Sequence, residues 1–137
     1  MPAVPLTPRM KNWLEGLGAH IATATKNGFP TVIVTYSCQV TDNVVKFPLT
    51  EAQVKQIQDN IAQNPWVAIA PGQLGAVRAP YQFKGQGRLE GQNLVVEVSE
   101  IYCTKPGPEA ARRMDTMGYE KMKAFEESRW KDLEPPK

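Results

Sequence analysis

The polar residues whose spacing could bind a phosphate group lie where a predicted strand runs into a predicted helix. Thr50-Glu51-Ala52-Gln53 has the pattern of a capping box, in which the Thr hydroxyl and the Gln amide satisfy free backbone groups at a helix start. Helix N-termini present N–H groups and a partial positive charge to anions. Lys46 and Lys55 lie nearby in the sequence. The pattern predicts a well-capped helix and, given further polar partners, a phosphate site.

A run of hydroxyl side chains, Thr35-Tyr36-Ser37, lies on the second predicted strand. Thr and Tyr favour strands because of their shape, so the run alone is a weak signal. It gains weight because this strand would run beside the Thr50 helix start in a small barrel. Trp66 and Trp130 could stack on a planar ligand, but a core position for Trp66 and a loosely docked tail for Trp130 are the default assignments.

Other catalytic patterns find little support. His20 is the sole histidine, and no Ser or Cys nucleophile motif accompanies it, so no hydrolytic triad is predicted. There is no CxxC motif, and a zinc site is not expected. Cys38 and Cys103 lie in strand-like segments, where buried free thiols are favoured over a pairing that the sequence leaves open. No GxxxxGK[ST] or GxGxxG loop occurs, which excludes the nucleotide folds built on those loops.

The bulk properties indicate one domain spanning residues 1–137, since the length is too short for two ordinary domains. The net charge of +2 predicts no nucleic-acid partner. No apolar run is long enough to cross a bilayer, and residues 1–11 carry three prolines and no apolar core of a signal peptide. We therefore expect a cytoplasmic protein without a membrane partner.

Turn and cap signals divide the chain into strands and helices. Thr7-Pro8 predicts a first helix, and Asn27-Gly28 predicts a tight hairpin. The predicted strands cover residues 19–25, 31–40, 44–47, 66–70, 81–89 and 94–102. One helix is inserted midway and ends at Asn64-Pro65. The loop over residues 73–80 carries one charge, Arg78.

Two glycines interrupt the strand over residues 81–89, which alternates large and polar side chains. Gly85 and Gly87 weaken a strand unless it bends sharply or lets another backbone come close. Beyond Lys105-Pro106-Gly107-Pro108, residues from about 108 to 137 read as a helical tail with a break at Gly118. The apolar positions that suggest this tail are Ala110, Met114, Met117, Met122, Phe125 and Leu133. The number and spacing of the predicted strands favour a mainly β antiparallel barrel with flanking helices.

From about residue 18 to residue 111, the order of these segments resembles the FMN-binding split-barrel family related to pyridoxamine 5'-phosphate oxidase. The resemblance rests on the Asn-Gly turn followed by Phe29-Pro30, the hydroxyl-bearing strand and a capped helix that ends in Asn60-Ile61-Ala62-Gln63-Asn64-Pro65. Trp66-Val67-Ala68-Ile69, the strand from Tyr81 to Gly85 and a Pro-Gly segment follow. The fold implied is a six-stranded antiparallel split β-barrel with flanking helices.

The resemblance implies a homodimer with FMN at the subunit interface. The residues that it assigns to the cofactor are Val34, Thr35, Tyr36, Leu49, Thr50, Gln56, Asn60, Gln82 and Lys84. Gln82 and Lys84 are candidates for the flavin ring or for the opposite subunit's site. Family members usually carry a cation near the helix start, where this chain has Leu49, Gln56 and Ile57; Lys46 and Lys55 are the available substitutes.

The function implied is that of a small FMN-binding protein, a flavin-dependent reductase or oxidase with an unidentified small-molecule substrate. Arginines equivalent to those that bind the substrate phosphate in pyridoxamine phosphate oxidase are not found, so that activity itself is not expected. No side chain stands out as a catalytic acid or base. A deazaflavin or haem in the same scaffold, the latter with His20 or a tail residue as ligand, is one alternative. A dimeric non-enzymatic module with a degenerate cleft is another.

Overall fold

The computed structural model describes residues 3–72 and 79–130. The helices are α1 (Pro8–Leu17), α2 (Glu51–Gln63) and α3 (Tyr119–Arg129), with a short 3₁₀ turn at Asp115–Met117. The strands are β1 (Ala19–Ala24), β2 (Pro30–Thr35), β3 (Gln39–Thr41), β4 (Val44–Pro48), β5 (Trp66–Pro71), β6 (Tyr81–Glu90) and β7 (Asn93–Cys103). Most of the predicted loop over residues 73–80, including Arg78, and the predicted helical position Leu133 lie outside the described residues. Within them, no helix has the length and apolarity that a membrane crossing requires.

The strands form one curled antiparallel sheet in the order β2-β1-β5-β6-β7-β4-β3. The sheet wraps around a core that receives α1 residues such as Met10, Trp13 and Leu14 and, from α2, Ile57. The edge strands β2 and β3 are not paired with each other, so the barrel is split. The predicted mainly β split barrel with flanking helices is confirmed, with seven strands where six were expected.

The seventh strand arises because the predicted strand over residues 31–40 divides in two. Thr35 pairs with Ala19, the first residue of β1. The preceding Gly18 caps α1 with a φ of 77°, so β1 offers no partner for Tyr36. The chain therefore leaves the sheet at Tyr36 and joins its opposite edge as β3, which pairs with β4.

The two glycines of β6 allow close approach, as the sequence predicted. The pairing between β6 and β7 shifts register between Lys84 and Gly85, and a Cβ on Gly85 would lie 2.0 Å from the backbone oxygen of Glu97. A Cβ on Gly87 would meet the side chain of Val67 at 2.8 Å. The absence of both side chains lets β6 bend and lets α2 pack over it.

In the described part of the predicted helical tail, residues 108–130, an α-helix forms only at α3. Before it, Ala111 takes a φ of 66°, and its N–H donates to the carbonyl of Cys103. The N–H of Met114 donates to Ile101, and the N–H of Ile101 donates to the Asp115 carboxylate. The backbone groups of this segment therefore bond to the end of β7, whereas in a helix they would bond to one another.

The default assignments of the two tryptophans were wrong. Trp130 is 1% exposed and makes edge contacts with Tyr81 and Phe125, with ring centroids 5.1 and 5.4 Å apart. Trp66 is 45% exposed and begins β5 with its side chain on the outer face. Trp130 thus anchors α3 to the barrel, and Trp66 belongs to the surface.

A buried carboxyl group joins both terminal helices to the barrel. Glu126 of α3 is 2% exposed, and its Oε2 accepts hydrogen bonds from the hydroxyls of Thr7 and Tyr81. Burial raises the pKa of Glu126; the hydrogen bonds from Tyr81 and Thr7 and the charge of Arg9 lower it, and Glu127 raises it, with a rise as the net result. A buried carboxyl with a raised pKa opposes folding once the pH is high enough to ionise it in the unfolded chain.

We expect Glu126→Gln to keep the fold and to remove part of its pH dependence. The amide oxygen can still accept from both hydroxyls, and no charge needs to be buried. Because the folded pKa is raised, the stability contributed by Glu126 is complete below its ordinary value of 4.5 and is lost as the pH rises through the folded value. Urea unfolding at several pH values should give a free energy of unfolding that declines less with pH in the variant than in wild type.

Glu126→Ala serves as the contrast, since it leaves the hydroxyls of Thr7 and Tyr81 buried without a partner. Such groups cost about 1–3 kcal/mol each when unpaired. We expect this variant to be clearly less stable than Glu126→Gln at every pH. If the free energy of unfolding changed with pH equally in wild type and in Glu126→Gln, the raised pKa of the buried Glu126 would be contradicted.

Candidate functional site

The start of α2 is bonded to the end of β2. Thr50 accepts from the Gln53 N–H, and the Gln53 side chain accepts from the Thr50 N–H, which confirms the predicted capping box. The same Gln53 amide donates through Nε2 to the carbonyl of Val34 at 2.8 Å. One side chain therefore fixes the helix start against β2 and brings Val34 and Thr50 together.

Three hydroxyls follow Val34 at this point. Thr35 is 4% exposed, and its Oγ1 has no hydrogen-bond partner among the described residues. Tyr36 is 67% exposed, and Ser37 is exposed beside it. A buried hydroxyl without a partner is uncommon in native proteins and calls for an explanation, such as a bound molecule.

A groove of about 360 Å³ connects this hydroxyl run to a cation. It is lined by Ser37, Cys38, Gln39, Lys46, Pro48 and Asn93. Ser37 directly follows Tyr36, and Pro48 directly precedes Leu49, so the groove adjoins both predicted cofactor segments. Lys46 has no ion pair among the described residues, whereas Lys55 pairs with Glu51 at 3.8 Å in a fully solvated position. Lys46 is therefore the better candidate for an anion partner.

The other predicted residues near the helix have different surroundings. Leu49 is buried, and its N–H donates to the carbonyl of Gln92. Gln56 is exposed on α2. Asn60 is buried and donates to the Thr23 hydroxyl at 3.0 Å, so its side chain faces the core. Their roles toward a cofactor remain predictions.

Gln82 and Lys84 lie on the outer face of β6, which is separated from β2 by β1 and β5. At the usual spacing of strands this is about 14 Å from Val34. The structure therefore does not bring them together with the helix start in one subunit. A role at the same site would need a ligand that spans the outer face or a second copy of the chain.

The outer face near Lys84 has a defined electrostatic pattern. The Lys84 ammonium lies 4.9 Å from the ring centre of Tyr102 and forms no ion pair among the described residues. The Tyr102 hydroxyl donates to Glu100 at 2.6 Å, and this bond is the main reason that the pKa of Tyr102 is raised. Glu100 thus accepts from Tyr102 and forms an ion pair with Arg113 at 3.8 Å. The Lys84 charge is therefore available to a ligand or a partner.

Chemistry by thiols or clustered metal ligands finds no support in residues 3–72 and 79–130. Cys38 and Cys103 are buried and free. Burial raises the pKa of Cys38 to about 12, with a further contribution from Glu15, and burial also raises the pKa of Cys103. Neither is a thiolate near neutral pH, so neither is a nucleophile. No group of three or more His, Cys, Asp or Glu side chains lies together there.

Two features of the site were missed by sequence reasoning. The capping box identified Gln53 as a helix cap, but its bond to Val34 depends on a contact across 19 positions of the chain. The groove that joins Lys46 to Ser37 depends on the pairing of Gln39 with Lys46 between β3 and β4. Neither feature has a local signal in the sequence, because both depend on the break at Tyr36 that separates the two edge strands, and that break is set by where β1 begins.

The architecture has clear relatives among solved structures. HupZ from Group A Streptococcus superimposes with a TM-score of 0.59 at 20% identity, covering 77% of this chain and 98% of that one. A candidate pyridoxamine 5'-phosphate oxidase from Lactobacillus delbrueckii superimposes with a TM-score of 0.58 at 14% identity, covering 72% of this chain and 94% of that one. At these identities the likeness concerns the fold. The chain has the split-barrel fold of pyridoxamine 5'-phosphate oxidase-like proteins.

Sequence comparison identifies a family as well as a fold. The uncharacterized protein MJ0282 of Methanocaldococcus jannaschii is 30% identical over 132 residues, which span 80% of this chain and 87% of that protein. The chain belongs to the same family as this archaeal protein. No family model matches the sequence.

We expect Gln53 substitutions to separate the two bonds that the side chain makes. Gln53→Glu can still accept from the Thr50 N–H but cannot donate to Val34, so hydrogen exchange of the β2 amides should accelerate while the first turn of α2 stays protected. Gln53→Met loses both bonds and should lower the free energy of unfolding by about 1–2 kcal/mol. Equal β2 exchange in wild type and Gln53→Glu would show that the bond to Val34 does not fix this end of the strand.

Proposed function

We propose that this protein is a homodimeric FMN-binding protein that acts as a flavin-dependent reductase or oxidase on a small molecule. The observation that carries the proposal is the bond from Gln53 to Val34, because it assembles the β2 end and the α2 start into one polar site. Val34 and Thr50, two of the predicted cofactor residues, each bond to Gln53, and Thr35 and Tyr36 directly follow Val34 in the chain. The split-barrel fold supports a flavin-type cofactor, and the specific choice of FMN rests on the fit of these residues.

The residues at the α2 start suit the phosphorylated side arm of FMN. The Thr50 hydroxyl accepts from Gln53 and keeps its own hydrogen for a phosphate oxygen. The exposed hydroxyls of Tyr36 and Ser37 supply further donors. Lys46 supplies a cation in the groove that adjoins them. Hydroxyls, one cation and a helix N-terminus are the groups that bind phosphate in proteins.

The chain's own side chains bind and position the cofactor, while FMN, when bound, supplies the hydride or electron transfer. Thr50, Ser37 and Lys46 would bind the phosphate. Val34 and Tyr36 would orient the remainder along β2. The described residues near the site offer Lys46 as a cation but no arginine pair for a substrate phosphate, so we do not propose pyridoxamine phosphate oxidase activity.

The exposed outer face of the sheet supports the dimer. Val32 on β2 and Phe29 in the adjoining turn are 56% and 73% exposed, and Trp66 lies on the same face. An open groove of about 420 Å³ runs over this face, floored by the alanines of β1 and β5 and bordered by Lys84 and Glu100. A contiguous apolar patch with a charged border is typical of a protein interface. A second copy on this face would cover the apolar residues and could contribute its Lys84.

The protein as isolated should be yellow and should release FMN on denaturation. For the apoprotein, we expect FMN binding, measured by quenching of flavin fluorescence, to weaken about tenfold in Lys46→Gln because a charge-assisted contact is lost. The double variant Lys46→Gln/Thr50→Ala should bind FMN more weakly than Lys46→Gln alone. Lys55→Gln is the matched control, since Lys55 pairs with Glu51 in solvent, and its affinity should stay within about twofold of wild type.

A second candidate function is a non-enzymatic dimeric module with a degenerate cofactor cleft. It is favoured by the first turn of α2, which carries the acidic Glu51 and, among the described residues, no unpaired cation. A colourless protein that fails to take up FMN but remains dimeric would support this candidate and contradict the first. Uptake of FMN with equal affinity in Lys46→Gln and Lys55→Gln would leave FMN binding intact and show that Lys46 is not the phosphate partner.

The dimer itself has a separate test. Val32→Glu places a charge in the middle of the exposed apolar face, so we expect it to convert the dimer to a monomer in sedimentation velocity experiments. Thr41→Glu is the matched control, because it also adds a carboxylate to an exposed position of an edge strand but lies on β3, at the other edge of the sheet. A wild-type monomer, or the same dimer in both variants, would contradict the use of this face.

A further inference from the structure

A cavity of about 570 Å³ lies at the end of the outer face where β1 begins and β5 ends. We call it the His20 pocket. It is lined by His20, Ala70, Pro71, Gly72, Ala79, Pro80, Tyr81, Gln82, Thr104, Lys105 and Pro106. Its volume is in the range of sites that bind small organic ligands.

Strand register places this pocket beside the proposed cofactor strand. His20 of β1 pairs with Val34 on one side and with Ala70 on the other. All three side chains therefore lie in one row across the outer face. The pocket begins one strand spacing, about 5 Å, from Val34. A molecule in the pocket would adjoin whatever binds along the end of β2.

The lining separates an apolar body from a polar rim. Three prolines and two alanines give the wall apolar surface, and no carboxylate lies among the described residues that line the pocket. Among the described residues that line the pocket, Lys105 carries a positive charge and His20 supplies an imidazole. Lys105 donates to the carbonyl of Arg129 at 3.4 Å and forms no ion pair among the described residues. The Gln82 amide and the Thr104 hydroxyl are further hydrogen-bond donors on the rim.

The wall of the pocket is held in place from behind. Tyr81 lines the pocket and donates its hydroxyl to the buried Glu126. Its ring also contacts Phe83 and Trp130, with centroids 5.5 and 5.1 Å away. Prolines 71, 80 and 106 restrict the backbone of the rim. A pocket formed before its ligand arrives loses less conformational entropy on binding.

We propose that the His20 pocket binds the substrate, a small organic molecule with an apolar body and one carboxylate. The apolar wall would hold the body, and the Lys105 ammonium with the Thr104 hydroxyl would bind the carboxylate. A phosphate dianion would call for more cations than the described residues of this rim present. The role as substrate pocket rests on the proposed flavin chemistry next to Val34, whereas the binding of the carboxylate does not.

The test uses a pair of probes that differ in charge and share a ring system. Isothermal titration of the full chain should show that 2-naphthoate binds at least about fivefold more tightly than the uncharged 2-naphthamide. Lys105→Gln should lower the affinity for 2-naphthoate by about three- to fivefold, because an exposed charge contact contributes that much. It should leave the affinity for 2-naphthamide unchanged. Lys121→Gln removes the same charge from an exposed position of α3 outside the pocket and should have no effect.

A second variant tests the cavity itself. Ala70 is exposed at the floor of the pocket, so Ala70→Trp should fill the pocket without disturbing the core and should weaken both probes more than tenfold. Equal affinities for the two probes, no binding of either, or equal losses in Lys105→Gln and Lys121→Gln would overturn the proposal. Thermal unfolding of each variant shows whether it is folded, and Lys105→Gln decides the question if Ala70→Trp is not.

Titration of FMN into the same samples separates this inference from the proposed function. FMN uptake without charge-selective binding of 2-naphthoate would contradict the inference alone. Selective binding of 2-naphthoate by a protein that takes up no FMN would contradict the proposed function and the substrate role, and would leave a carboxylate-binding pocket.

Discussion

The structure depends on a sheet that curls into a barrel without closing. Its edge strands β2 and β3 do not pair, so each has backbone groups that need other partners. A helix side chain bonds to each edge: Gln53 of α2 donates to the Val34 carbonyl, and Glu15 of α1 accepts from the Val40 N–H. These two bonds replace some of the strand-to-strand hydrogen bonds that the two edges lack. The candidate site lies at the β2 edge because the helix start must come there to make the bond.

Local signals in the sequence were sufficient for most of the elements. The Asn27-Gly28 hairpin, the capping box at Thr50 and the close approach at Gly85 each depend on neighbours in the chain or on the absence of a side chain. The order of these elements then indicated the split barrel. This reasoning also placed Val34 and Thr50 near each other, since it set a hydroxyl-bearing strand next to a capped helix.

The features that sequence reasoning could not supply all depend on distant pairing. The chain leaves β2 at Tyr36 because β1 begins at Ala19, a fact that the residues around Tyr36 do not encode. Trp66 precedes an apolar run and Trp130 lies in a charged segment, yet Trp66 lies on an outer sheet face and Trp130 packs against Tyr81. Asn60 follows the helical pattern of the predicted cofactor residues, but the packing of α2 on β1 turns its amide to Thr23.

The two faces of the sheet have separate tasks, and Tyr81 connects them. The inner face is filled by large apolar side chains, whereas the outer face is floored by alanines and bordered by His20, Gln82 and Lys84. Tyr81 lies at the start of β6, where it is one of the residues that line the outer pocket and its hydroxyl reaches Glu126. The shape of that pocket therefore depends on the docking of α3. A carboxyl group that must lose its contact with water to hold α3 makes this docking sensitive to pH, so the pocket wall and the stability of the terminal helix share one physical cause.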